Sequence, residues 1–107
     1  MDNIPTVKLA EMFDKKYAIS LEDAEKLYSI LKTSLDEKKK VIISFEGIEL
    51  LITAFLNASF GKLFKDYAEK DIDSYIEVIN LPEDKNTLLQ LVKERAISFY
   101  RKENDSI

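Results

Sequence analysis

The 107 residues carry 16 Lys and Arg against 20 Asp and Glu, a formal charge of −4, with 46% hydrophobic content and no Cys, His or Trp. That size and apolar content suit one domain around one core, spanning residues 1–107. The missing residue types exclude thiol nucleophiles, imidazole bases, disulfides and most zinc sites.

An acidic balance also argues against a nucleic-acid footprint, which draws on clustered Lys and Arg. No run approaches the roughly 18 apolar residues that a membrane span needs. The start, Met1 to Pro5, lacks the basic region and apolar core of a signal peptide. The expected location is cytoplasmic, away from the membrane, and with two glycines and no glycine-rich phosphate loop no cofactor is expected.

In chain order, Val7 to Phe13 and Tyr17 to Ile19 read as two strands around the polar turn Asp14-Lys15-Lys16. Ser20 is a good N-cap with Asp23 three residues on, a capping-box-like start. Leu21, Ala24, Leu27, Tyr28, Leu31 and Leu35 then recur at helical spacing, with Glu22, Glu25, Lys26 and Lys32 opposite, which predicts an amphipathic first helix. Lys38-Lys39-Lys40 follows Asp36 and Glu37 and reads as a solvated loop, with an interaction patch as the alternative.

Val41-Ile42-Ile43-Ser44-Phe45 is a β-branched, nearly unbroken apolar run, the pattern of a central strand covered on both faces. Glu46-Gly47 closes it with a turn. Ile48 to Ile52 leads into a second helix whose N-cap is predicted at Thr53, and Phe55, Leu56, Phe60, Leu63, Phe64 and Tyr67 give it a wide buried arc. Gly61 falls inside that helix, where Gly costs about 1 kcal/mol against Ala, so a second element is expected to pack closely on it. Tyr75 to Ile79 reads as a further strand, Asn80-Leu81-Pro82-Glu83 as a helix entry, and Leu88, Leu91, Val92, Ala96 and Phe99 as the stripe of a third helix. The predicted order is β-β-α-β-α-β-α: an α/β fold with a mainly parallel sheet of four to five strands, about three helices, and an antiparallel edge from the N-terminal hairpin.

Few constellations carry chemistry. Asp71-Ile72-Asp73 with Glu77 lacks the third ligand and the glycine of a calcium loop. Glu46 and Glu49 flank the turn before the second helix and read as solvated turn residues, with partner contacts or a general acid and base pair as the alternatives. Tyr17, Tyr28, Tyr67, Tyr75 and Tyr100 fall mostly on apolar stripes and are expected in the core.

The stretch Val41 to Phe55, continuing through Leu56-Asn57-Ala58-Ser59-Phe60-Gly61-Lys62-Leu63, resembles the core of an uncharacterised STAS-like family. That pattern is a hydrophobic strand, Asp-Phe-x-Gly-Val, a short spacer, a Ser/Thr-rich step, Phe, and then Phe-Gly-x-Leu. Gly47 and Gly61 both fall on its glycines. STAS domains include the bacterial anti-sigma-factor antagonists, whose switch is a phosphorylated Ser or Thr at the start of the second helix. The resemblance implies a small STAS-like regulatory module, not an enzyme. Its implied partner is a protein such as a histidine-kinase-like ATPase or an anti-sigma-type regulator. The implied partner-binding and switch region is Glu46, Gly47, Glu49, Ile52, Thr53, Ala54 and Asn57. The sequence departs from the pattern at Ser44, where Asp is usual, and at Ile52-Thr53-Ala54, where the position matching the phosphoacceptor is Ala54. Thr53 keeps a hydroxyl one residue earlier, as an N-cap or a phosphosite. The alternative function is a structural, self-associating subunit, docked through a sheet edge or the third helix.

Overall fold

The computed structural model describes residues 3–105, with side-chain surroundings for 3–100. Strand β1, Thr6–Lys8, runs directly into helix α1, Leu9–Phe13; strand β2, Tyr17–Ala18, precedes helix α2, Leu21–Glu37. Strand β3 is Val41–Ser44, strand β4 Leu50–Leu51, helix α3 Thr53–Ser59, helix α4 Glu69–Tyr75, strand β5 Ile76–Ile79 and helix α5 Asn86–Asp105. Two short 3-10 helices lie at Gly61–Lys65 and Glu83–Lys85.

Among the described residues five strands form, but they divide into a three-stranded sheet of order β1-β3-β5 and a separate ribbon of β2 and β4, and every pair is parallel. The expected N-terminal hairpin and antiparallel edge are therefore absent among the described residues. The reason lies in Leu9 and Phe13, both buried and four residues apart. That spacing puts them on one face of a single helical turn, whereas in a strand the same inward face would also carry Glu11, which is exposed. Asp14 then ends α1 in the left-handed conformation at φ 54°, sending the chain into β2 and away from β1.

The long, patterned segments form as predicted. Ser20 caps α2, its Oγ accepting from the Asp23 N–H at 3.0 Å. The Asp23 carboxylate does not complete a capping box; it is buried and takes the Lys15 ammonium at 2.9 Å. Apolar β3 is the central strand. The second predicted helix is shorter than expected: it is α-helical only to Ser59, then tightens into the 3-10 segment at Gly61. An added Cβ on Gly61 would stand 3.4 Å from Val92 Cγ1 of α5, so a neighbouring element does pack there.

Among the described residues five α-helices form instead of about three. Helix α4 has one buried apolar residue, Ile72, and so no stripe to betray it; β5 starts one residue later than expected because Tyr75 still belongs to α4. One contiguous cluster forms the core, joining Leu9, Ile43, Phe45, Phe55, Leu56 and Val92 across both sheets and the helices. Phe99, expected on the buried stripe of α5, is 63% exposed. No helix among the described residues is long and apolar enough to cross a membrane.

Candidate functional site

The turn after β3 is held through Ser44. Ser44 Oγ is buried at the strand's end and accepts from the Glu46 N–H at 3.2 Å and from Asn80 Nδ2 at 3.0 Å. A hydroxyl thus ties the turn to the end of β5, where Asn80 itself is left-handed at φ 59°. Gly47 sits at φ 86°, and a Cβ there would lie 3.3 Å from Ala10 Cβ of α1. Only glycine meets both demands without strain. Glu46 is exposed, 4.0 Å from the Lys8 ammonium, a distance and exposure at which an ion pair contributes little. Its separation from Glu49 is not fixed by any bond between them, so the carboxylate-pair reading gains no support.

From Gly47 the chain enters the ribbon. The Lys16 carbonyl accepts from the Glu49 N–H at 2.7 Å and the Leu50 N–H at 3.3 Å, and the Ala18 carbonyl accepts from the Ile52 N–H at 3.3 Å. Tyr17 lies opposite Leu50, and Ala18 opposite Leu51. Side chains alternate across a strand. Ala18 and Leu51 are buried in the core, so Tyr17 and Leu50 face outward, joined by Ile19 and Ile52 two residues on. Tyr17 is 48% exposed, Ile19 43%, Leu50 47% and Ile52 37%; Leu21, at the start of α2, is 62% exposed. Tyr17 and Leu21 were both expected in the core, and the structure places both outside it.

An isolated two-stranded ribbon is marginal in water. This one is pinned from behind. Ala18 and Leu51 enter the core, Phe13 of α1 meets Phe55 of α3 edge-to-face at 6.0 Å, and the Lys15 to Asp23 ion pair closes the turn onto α2. Its outer face is therefore held in place from behind while remaining apolar. Scattered exposed apolar residues need no explanation, but Tyr17 and Leu50 opposite one another, with Ile19 and Ile52 next on the same side, do.

Helix α3 leaves the ribbon at once. Its N-cap is Ile52, which has no side chain able to cap, and Thr53 is the first helical residue, half-buried; the predicted Thr53 cap is not formed. Ala54 and Asn57 are exposed, while Phe55, Leu56 and Ser59 face inward, the Ser59 hydroxyl donating to the Phe55 carbonyl at 2.7 Å. Of the predicted switch region, Glu46, Gly47, Glu49, Ile52, Ala54 and Asn57 are all at the surface, in succession along turn, ribbon and α3. Sequence reasoning missed Tyr17, Ile19, Leu21 and Leu50. The one signal was the alternation Tyr17, Ile19, Leu21, which is indistinguishable from the inward face of a strand until the partner strand is known.

Asp73, part of the weak cation motif, is paired with Lys93 at 3.0 Å. Among the described residues no group of three or more acidic side chains is placed to hold a metal ion. No curated protein and no solved structure matches the chain. A family model does, over residues 23–86, from the first turn of α2 to the start of α5. That match takes in β3, the Gly47 turn, β4 and α3, and leaves Tyr17, Ile19 and Leu21 outside it. Since it covers more than half of the chain, the protein belongs to the family of STAS-like domains of unknown function.

Proposed function

We propose that the protein is a non-catalytic regulatory module that docks onto a protein partner through the outer face of the β2–β4 ribbon and the first turn of α3. The observation that supports this reading is the in-register exposure of Tyr17 with Leu50, extended by Ile19, Ile52 and Leu21. An apolar centre with charged Lys16, Glu22 and Glu49 beside it in the chain has the make-up of a protein interface. Ala54 offers no hydroxyl, so the phosphoswitch of related domains is degenerate here, and Thr53 is half-buried at the helix start. By analogy with STAS domains the partner is a histidine-kinase-like ATPase or another anti-sigma-type regulator; fold analogy alone carries that choice.

A photo-crosslinking amino acid placed at Leu50 in the native host tests the surface directly. One discrete adduct at Leu50, missing when the same residue replaces Lys39 near the far ends of the strands, is the expected result. No adduct, or the same adducts from both positions, would sink the proposal.

Self-association is a second reading, and β5 favours it. This edge strand, Ile-Glu-Val-Ile, has no Lys or Pro to discourage pairing with another strand. Sedimentation showing a concentration-dependent dimer that Val78→Pro abolishes would support it over the first; a monomer throughout would remove it.

A further inference from the structure

Helix α5 packs mainly on the 3-10 segment Gly61–Lys65 and on α3, and this leaves a wedge between it and the edge of the sheet. Ile76 and Val78, alternate residues on one side of β5, form the floor. Phe60 and Phe64 form one wall, Leu89 and Val92 the other, around a cleft of about 200 Å³. Its apolar lining comes mainly from β5, the 3-10 segment and α5, so the cleft is part of the fold and not a gap between loops.

Its mouth is charged in a definite way. The Lys93 ammonium donates to Asp73 Oδ1 at 3.0 Å and Oδ2 at 3.2 Å, and lies 3.1 Å from Glu69 Oε2. Burial alone would lower the Lys93 pKa, but the hydrogen bonds it donates to Asp73 and Glu69 outweigh it and raise the pKa above its ordinary value. An ammonium has three donors, and two carboxylates already take them. The carboxylates keep spare lone pairs, and two of them against one ammonium leave the rim one unit negative. An anionic ligand would have to displace those carboxylates from Lys93. A cationic one would meet acceptors with nothing to displace.

From this shape and charge we infer that the cleft binds a small amine carrying one aromatic or branched aliphatic group, the ring on Ile76 and Val78 and the ammonium on Asp73, with Glu69, held on the same Lys93, adding negative charge nearby. Size agrees with that class, since an apolar cavity of about 150 Å³ accommodates benzene, and the cleft has room for one ring and a short arm. Larger ligands fit pockets of about 300 Å³ and above. The site is distinct from the ribbon face and does not depend on it.

The test is a titration of the full chain followed by amide NMR, with phenethylamine as the probe and phenylacetate as a control of like shape and opposite charge. Saturable shifts for phenethylamine at Val78, Leu89, Val92 and Lys93, with none for phenylacetate, are the expected result. Val78→Phe fills the floor and should abolish those shifts while the rest of the spectrum is unchanged. Should that variant misfold, Asp73→Asn is an exposed change that neutralises the rim; it should weaken the amine by about two- to fivefold, the scale of one part-exposed ion pair. Absence of saturable shifts, equal binding of both probes, or an unaltered amine affinity in Asp73→Asn would each overturn the assignment.

Discussion

Gly47 and Gly61 are the two glycines of the chain, and the structure separates their roles. At Gly47 a side chain would face both a left-handed backbone, at φ 86°, and Ala10 Cβ at 3.3 Å. A left-handed L-residue costs roughly 1–2 kcal/mol before any crowding. Gly47→Ala is therefore expected to destabilise by about 2 kcal/mol, read as a lower denaturant midpoint; a midpoint at or above wild type would contradict the turn geometry. At Gly61 the nearest outside atom is Val92 Cγ1 at 3.4 Å, ordinary van der Waals contact. A methyl fits there, so overpacking and helix propensity nearly cancel, and Gly61→Ala should fall within about 0.5 kcal/mol of wild type. Gly61→Leu has no such room and should unfold far earlier in the same titration. Ala54 is exposed at the start of α3, and Ala54→Asp adds a charge that the helix dipole favours. Its stability should stay within about 0.5 kcal/mol of wild type while partner binding falls. A large loss of stability would mean that Ala54 packs inward.

At the scale of elements, α2 is tied to the end of the 3-10 segment by a side-chain clasp. Tyr67 donates its hydroxyl to Asp36 Oδ1 at 2.5 Å, and the Lys32 ammonium donates to Asp36 Oδ2 at 3.0 Å and to the Tyr67 hydroxyl at 3.2 Å. The Tyr67 hydroxyl first, and then Lys32, hold the Asp36 carboxyl below its ordinary value. A carboxylate whose folded pKa is depressed contributes stability above its unfolded pKa and loses that contribution as pH falls through the folded one. The clasp should thus be complete at neutral pH and fade only under acid. Tyr67→Phe removes the first cause, so the Asp36 carboxyl should titrate at higher pH by NMR; an unmoved midpoint would show that the hydrogen bond does not form in solution.

The elements also show what could be read from the residues. Helix α2 and strand β3 were legible because each buries enough side chains to impose a period on the sequence. Helix α1 was not, since one turn presents only Leu9 and Phe13, and neither was α4, with Ile72 alone buried. Strand β4 is two residues long and owes its existence to pairing with β2, more than 30 residues away in sequence. The glycine turn and the start of α3 were visible as half of the candidate site. The other half, Tyr17, Ile19 and Leu21, depended on that distant pairing, because exposure on a ribbon face is decided by which side the partner strand turns toward the core.

For the molecule as a whole, the two proposed surfaces have different physical characters. The ribbon presents an exposed apolar face of the kind that meets a macromolecule, whereas the cleft beneath α5, at about 200 Å³, has room for a small ligand. The ribbon account is the central one, and calorimetric titration of the purified partner against the double variant Tyr17→Lys/Leu50→Glu tests it most directly. Opposite charges are chosen because the two residues face each other across the strands. Each apolar side chain removed from an interface forfeits about 1.5–3 kcal/mol. The account predicts binding weaker by about a hundredfold or more, with thermal unfolding close to wild type. Wild-type affinity in a folded double variant would contradict it.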